Sequence, residues 1–211
     1  MNRLALLSTA AVLGAVIALP ACAESATQEA DAQPETMQDM DHGADTGEAG
    51  EAVSGAAEAT ATLINRDRDE VGTVRFVQGP EGVVLTIEAD VPGLSSGQWH
   101  GAHLHKIGDC SNEDFTSSGG HINVDGSAHG YLNPEGPDNA DLPNLWVHSD
   151  GALRAQAYTE NVSIGGQTGA PALLDADGSA FVMHANPDDM ISQPIGGAGA
   201  RVLCGVIEAA D

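Results

Sequence analysis

From residue 59 onward the chain is written in short runs that alternate apolar and polar side chains. "ATATLIN" (59–65), "GTVRFVQG" (72–79) and "GVVLTIEADV" (82–91) put every second residue on one face, the period of a half-buried strand. Arg66–Glu70 separates the first two runs as a charged turn, and Gly79-Pro80-Glu81-Gly82 separates the second from the third. "NLWVHSDG" (144–151), "ALRAQAYTE" (152–160), "SAFVMHA" (179–185) and "ARVLCGVIE" (200–208) repeat the theme. Asp-Gly pairs at 125–126, 150–151 and 177–178 read as hairpin-type turns. With no long amphipathic helix in this pattern, the spacing predicts an all-β domain, a β-sandwich or barrel. Composition points the same way, since aromatics make up only 3% while there are 26 glycines and 10 prolines.

One stretch departs from the pattern. Cys110 to Asp141 is long, rich in Gly, Asn, Asp and Ser, and weak in strand signal, and it carries His121 and His129. Loops of this length inside compact domains are usually functional. Asp175-Ala176-Asp177-Gly178 has the look of a calcium-loop opening, but the remaining loop ligands and the closing glutamate are absent, so calcium is not expected there.

The first residues, "MNRLALLSTAAVLGAVIALPACAES", form an export signal over residues 1–22. Arg3 precedes an apolar run from Leu4 to Leu19 that is too short for a comfortable membrane span. Ala21-Cys22-Ala23 reads as an ordinary A-x-A cleavage site. Leu19-Pro20-Ala21-Cys22 reads as a lipoprotein signal with lipid on Cys22, although proline fits that position poorly. Both place the mature protein outside the cytoplasm, in the periplasm or anchored to the envelope. Residues 23–58 follow with ten acidic side chains, no Lys or Arg and no aromatic residue. Such a segment buries too little apolar surface to offset its ordering entropy, which predicts a disordered tether. Met37, Met40 and His42 in it have the soft donors that suit Cu(I), but a polar spacer accounts for them as well.

Charge narrows the partners. The chain has 31 acidic and 7 basic residues, a net −24, and residues 59–211 alone carry −15. A surface this acidic argues against binding a phosphate backbone, so no nucleic-acid partner is expected. It also repels small anions unless a local positive charge offsets the field.

The eight histidines fall at 42, 100, 103, 105, 121, 129, 148 and 184. On a strand His103 and His105 share a face and Leu104 points to the other. Alone, an H-x-H pair is more simply a solvated strand face. With His121 and His129 on a loop and His184 at a strand end, a convergence of imidazoles becomes the better reading, and such a set selects copper or zinc over calcium or magnesium.

"GAHLHKIGDC", "GGHINV", "HGYLNPEGPDNADLPN", "FVMHANPDD" and "GGAGARVLCGVIE" occur in an order and spacing that resembles the copper/zinc superoxide dismutase family, in its bacterial secreted branch. The resemblance covers residues 59–208 and is most specific over 100–208. It implies a Greek-key β-sandwich or flattened, immunoglobulin-like barrel with long metal-binding loops. It also implies dismutation of superoxide to O2 and hydrogen peroxide by a redox-cycling copper, with zinc beside it. His103, His105 and His184 would be copper ligands, and His121 the imidazole bridging copper to zinc. His129 and Asp141 would be zinc ligands, and Asp188 a carboxylate tying a copper ligand to a zinc ligand. Arg201 would be the anion guide, His100 a brace without metal contact, and Cys110–Cys204 a disulfide.

The chain departs from the family at Asp138, where a further zinc-ligand histidine is usual. Carboxylate oxygen ligates zinc, so a two-His, two-Asp site is expected; the other outcome is Asp138 in solvent with zinc held weakly or completed by water, and His148 is an alternative donor that reads better as a surface residue. Lys106 and Arg201 are the basic residues nearest the motifs in sequence. A non-enzymatic exported copper-binding or copper-delivery module on the same fold is the alternative function; retention of Arg201 with all the copper histidines favours the enzyme. Family members are often homodimers, but no residue here identifies a dimer surface.

Overall fold

The structure, a computed structural model, describes residues 57–94 and 97–210. The expected signal over 1–22, nearly all of the tether over 23–58, Cys22 and the Met37, Met40 and His42 set lie outside the described residues. Nine strands are present among those described: β1 Glu58–Asn65, β2 Glu70–Gln78, β3 Val83–Asp90, β4 Gln98–His100, β5 Ala102–His105, β6 Leu145–Val147, β7 Ala152–Thr159, β8 Ser179–His184 and β9 Arg201–Ala209. A single 3-10 turn covers Thr116–Ser118. Seven strands form one antiparallel sheet in the order β5-β8-β9-β1-β2-β3-β7, and β4 and β6 pair as a separate ribbon. The sheet curls on itself into a half-barrel, the all-β class expected from the sequence.

Period-two alternation explains the main core. Ala59, Ala61 and Leu63 of β1, Val74 and Phe76 of β2, and Val83, Leu85, Ile87 and Ala89 of β3 all turn inward and are buried. Each fully buried Leu, Ile or Phe contributes on the order of 1.5–3 kcal/mol. The charged turn between β1 and β2 closes on Asn65, whose side-chain oxygen accepts the Asp69 N–H.

β8 breaks the alternation because every one of its residues is buried. Phe181 and Met183 belong to the main core, while Ala180 and Val182 face the other way and join Cys110, Phe115 and Cys204 in a second apolar cluster. The loop beginning at Cys110 therefore covers the outer face of β8 and β9. That cover is fastened by the Cys110–Cys204 disulfide.

Of the three Asp-Gly pairs expected to make hairpin-type turns, one does so and two do not. Gly126, Gly151 and Gly178 all have positive φ, so the chain bends sharply at each. Asp150-Gly151 does close a tight turn from β6 into β7, where His148 N–H donates to the Ala152 carbonyl and Gly151 N–H to the His148 carbonyl, although β6 then runs on with β4 and β7 with β3. The pairs at 125–126 and 177–178 link no two consecutive strands directly. At those two places the hairpin signature fails because turn chemistry is local, whereas pairing depends on which strands the curled sheet brings together.

Candidate metal centre

β5 is the last strand of the sheet, and its free edge is taken up by two distant loop segments. Leu104 N–H donates to the Ala140 carbonyl, and the Leu104 carbonyl accepts from Ile122 N–H. These bonds set His103 opposite Asp141 and His105 opposite His121. On the other edge β5 pairs with β8, His103 facing Val182 and His105 facing Ala180. His184 lies two residues beyond Val182 on that same outer face, where a bulge between Met183 and His184 brings it opposite Arg201 of β9. Leu104 turns into the core. The site thus forms on the outside of the sheet, roofed by loops.

Four imidazoles converge. Ring centroids lie 4.3 Å apart for His103–His121, 4.9 Å for His103–His184, 5.4 Å for His105–His121 and 5.9 Å for His105–His184. One nitrogen of each ring is fixed from behind. His103 Nε2 donates to Asp188 Oδ2, His105 Nδ1 to the Gly119 carbonyl, His184 Nδ1 to the Gly199 carbonyl and His121 Nδ1 to Asp138 Oδ2. The other nitrogens, His103 Nδ1, His105 Nε2, His121 Nε2 and His184 Nε2, are the buried side-chain polar atoms without a partner among the described residues. Each such orphan costs on the order of 1–3 kcal/mol, and four in one cluster make a ready nest of lone pairs for a cation. Burial holds the His105 ring down to about 2 and the His184 ring down to about 3, and lowers His103 as well. Neutral rings are what a metal requires of imidazole, and an all-imidazole donor set suits copper.

A second cluster adjoins the first through His121. His121, His129, Asp138 and Asp141 offer ligand atoms within 4.8 Å of one another. His129 Nδ1 lies 2.5 Å from Asp141 Oδ1, and Gly130 N–H donates to Asp141 Oδ2. Burial works against a charged His129, but the hydrogen bonds to Asp141 and Asp188 outweigh it and carry the ring up to about 10. Burial likewise opposes ionisation of Asp141, and the bond from His129 prevails, so its carboxyl sits below the usual range. Mixed nitrogen and carboxylate donors suit zinc. Asp138 is buried and bonded to His121, not turned to solvent.

Asp188 spans the two clusters, accepting from His103 Nε2 at 2.9 Å and from His129 Nε2 at 3.1 Å. Asn144 fixes its backbone by donating to the Asp188 carbonyl and accepting from the Asp188 N–H. Gly196 makes room for the carboxylate: a Cβ there would sit 1.6 Å from Asp188 Oδ1. Gly196→Ala is therefore expected to weaken copper affinity by roughly 10–100-fold, the usual effect of disturbing a ligand's supporting group. Competitive titration of the metal-free variant with a copper chelator checks this; unchanged affinity would exclude Asp188 from orienting His103.

Arg201 is half-buried beside the copper-type cluster. It donates from Nη1 to the Phe115 carbonyl at 2.7 Å and to Ser118 Oγ at 2.9 Å, and from Nη2 to the Gly119 carbonyl at 2.6 Å. The same Gly119 carbonyl accepts from His105, so guanidinium and imidazole share one anchor. A cavity of about 420 Å³ is lined in part by His105, His121, His129, Asp138, Gln193 and Arg201. His100 Nδ1 donates to the His184 carbonyl, bracing the backbone behind that ring. Lys106 is exposed next to Gly119, and His148 is exposed and outside both clusters. Sequence reasoning missed Gln193, whose amide grips the His129 backbone at both N–H and carbonyl, and it missed Asn144 and Arg68. Only the "DLPN" motif hinted at Asn144; nothing local marks the other two.

The family model for copper/zinc superoxide dismutase matches residues 70–207. A Cu-Zn superoxide dismutase of Caulobacter vibrioides is 50% identical over 151 residues, covering 71% of this chain and 85% of that protein. Cu-Zn superoxide dismutase 2 of Aquifex aeolicus is 37% identical over 150 residues, with 71% and 85% covered. Among solved structures, a SOD-like protein from Bacillus subtilis superposes with a TM-score of 0.65 at 36% identity, covering 70% of this chain and 96% of that one.

Proposed function

Because the chain belongs to the copper/zinc superoxide dismutase family, and its activity is the conversion of superoxide to O2 and hydrogen peroxide, we propose how its own residues divide that work. His103 Nδ1, His105 Nε2, His121 Nε2 and His184 Nε2 would hold copper. His121 Nδ1, His129, Asp138 and Asp141 would hold zinc. When bound, copper supplies a one-electron redox couple and zinc a fixed positive charge beside His121. The observation that supports this assignment is the set of four orphaned imidazole nitrogens, each with its opposite nitrogen fixed from behind.

The reaction consumes two superoxide ions and two protons and yields O2 and hydrogen peroxide, so the protein must attract an anion and deliver protons. Arg201 attracts it. Its guanidinium stands at the cavity that also opens onto His105 and His121, where charge-assisted hydrogen bonding orients an oxygen anion. Local charge at this point is what the −15 domain needs, since its wider field repels superoxide. His121 delivers. In the part of the cycle in which it is not a ligand, its Nε2 would take a proton from solvent and pass it to the peroxide at the cavity wall, while Nδ1, held on the side of Asp138, keeps the ring in register. Arg201→Ala is expected to slow turnover by roughly tenfold and flatten its dependence on salt. Unchanged kinetics over a salt series would remove Arg201 from the mechanism.

The disulfide and the bacterial relatives fit a compartment outside the reducing cytoplasm. Export by residues 1–22, lipid anchoring at Cys22, tethering through 23–58 and a homodimer remain part of the proposal. The experiment that tests the site is metal stoichiometry with a superoxide-consumption assay on the mature protein and on Asp138→Asn. One copper and one zinc per chain are expected, with zinc lost and copper kept in the variant. Zinc retained by Asp138→Asn would remove Asp138 from the ligand set, and copper bound without turnover would favour the copper-delivery alternative.

A further inference from the structure

We propose that Arg68 is a positioning residue for Arg201, acting through the loop that cradles the Arg201 guanidinium. The inference rests on the reading of Arg201 as the group that meets the anion. All three acceptors of the Arg201 side chain, the Phe115 and Gly119 carbonyls and Ser118 Oγ, lie within five residues of one loop. The far end of that cradle, Ser118 to Gly120, is tied to the body by backbone bonds from Ile107 and Lys106. Its near end, Cys110 to Phe115, belongs to no strand. Polar bonds there run mostly within the loop, as between Asn112 and Thr116 or Ser117.

What holds the near end comes from elsewhere. The Cys110–Cys204 disulfide holds one point, and the buried Phe115 ring another. Arg68 supplies the third. Its Nη1 donates to the Cys110 carbonyl, its Nη2 donates to the Ser111 carbonyl at 2.6 Å, and its guanidinium carbon lies 5.4 Å from the Phe115 ring centroid. One planar fork thus grips two successive carbonyls and covers the ring whose own carbonyl receives Arg201 Nη1. The turn is bent to allow it. Arg68 has φ of 71°, a left-handed conformation that residues with a Cβ seldom adopt, and its N–H is bonded to the Asn65 carbonyl. From the same turn Arg66 Nε donates to the Arg201 carbonyl at 2.8 Å. The turn between β1 and β2 therefore fastens Arg201 twice, at its backbone through Arg66 and at its cradle through Arg68.

Lysine has one point charge and no fork, so it cannot hold two carbonyls and cover a ring together. That separates positioning from mere attraction of anions. The test uses the copper- and zinc-loaded protein with azide as the anion probe, its affinity read from the visible copper absorption. The variants are Arg68→Gly, which suits the positive φ, Arg68→Lys, Arg201→Ala and the double variant Arg68→Gly/Arg201→Ala. Arg68→Gly is expected to weaken azide about tenfold, at the low end for groups that orient a site from behind. Arg68→Lys is expected not to restore it, and the double variant to bind no more weakly than Arg201→Ala alone. In the metal-free protein, amide exchange over residues 111–119 is expected to quicken in Arg68→Gly.

Wild-type azide affinity in Arg68→Gly while Arg201→Ala weakens it overturns the proposal alone. So does full rescue by Arg68→Lys, which would mean that charge at a distance suffices, or an additive loss in the double variant. Wild-type affinity in Arg201→Ala overturns the reading of Arg201 and this proposal with it. Were Arg68→Gly to fold poorly, Arg68→Lys still decides by its own azide affinity.

Discussion

Replacing His105 by alanine is expected to lower superoxide turnover by at least about a hundredfold, beyond the 10–100-fold typical of residues that only support a ligand. His105 is the cleanest of the four rings to remove. His103 also anchors Asp188, and His121 belongs to both clusters. His105 hangs only from the Gly119 carbonyl, which keeps a second donor in Arg201. Its loss therefore leaves no new buried orphan and removes an existing one, His105 Nε2. The metal-free variant should melt close to the metal-free wild type, while the rise in melting temperature on adding copper shrinks, because a ligand stabilises in proportion to its affinity. Calorimetry with and without copper, beside an activity assay, checks both halves. Wild-type activity in a copper-loaded His105→Ala protein would sink the four-imidazole assignment.

Removing the disulfide, as Cys110→Ser with Cys204→Ser, is expected to cost about 4–5 kcal/mol. The chain separation is 94 residues, and closing a loop of that size takes this much from the unfolded chain in the entropy model. For a domain of this length that is a fall of roughly 10–20 °C in melting temperature. Both cysteines lie in the apolar cluster under the Cys110 loop, with Phe115, Ala180 and Val182. Placing two hydroxyls there adds the cost of burying polar groups, so reduction of the native protein is the milder comparison. Turnover should fall with it, since the same loop carries every acceptor of the Arg201 guanidinium. A melting temperature indifferent to reduction would show that packing of Phe115 alone holds the loop.

Strand positions were legible wherever one face of a strand meets the core and the other meets water. β1, β2, β3 and β7 follow the alternation to within two residues, because burial on one side leaves a period-two imprint. β8 reads as one more alternating run, but all its residues are buried because a loop covers its second face. β4 goes unread, and β6 is only the middle of the run read at 144–151. Three-residue strands carry too little pattern, and their paired Trp99 and Trp146 rings, 5.2 Å apart, give no hint of pairing until the ribbon closes.

By itself the sequence determined the chemistry available: imidazoles in an H-x-H and at three further places, carboxylates spaced along a glycine-rich loop, the cysteines at 110 and 204 and one arginine near the end. It also determined the family, because five motifs in order are specific where any single one is not. Only the tertiary structure decided which nitrogen of each ring is left bare. That depends on what stands behind the ring: a carboxylate 85 residues away for His103, and a loop carbonyl for His105 and for His184. It likewise decided that Asp138 faces His121 and that a turn near the start of the domain holds the cradle of Arg201. Hydrogen bonds between segments so far apart leave no periodic trace in a chain, because each is fixed by the curl of the sheet and not by its neighbours in sequence.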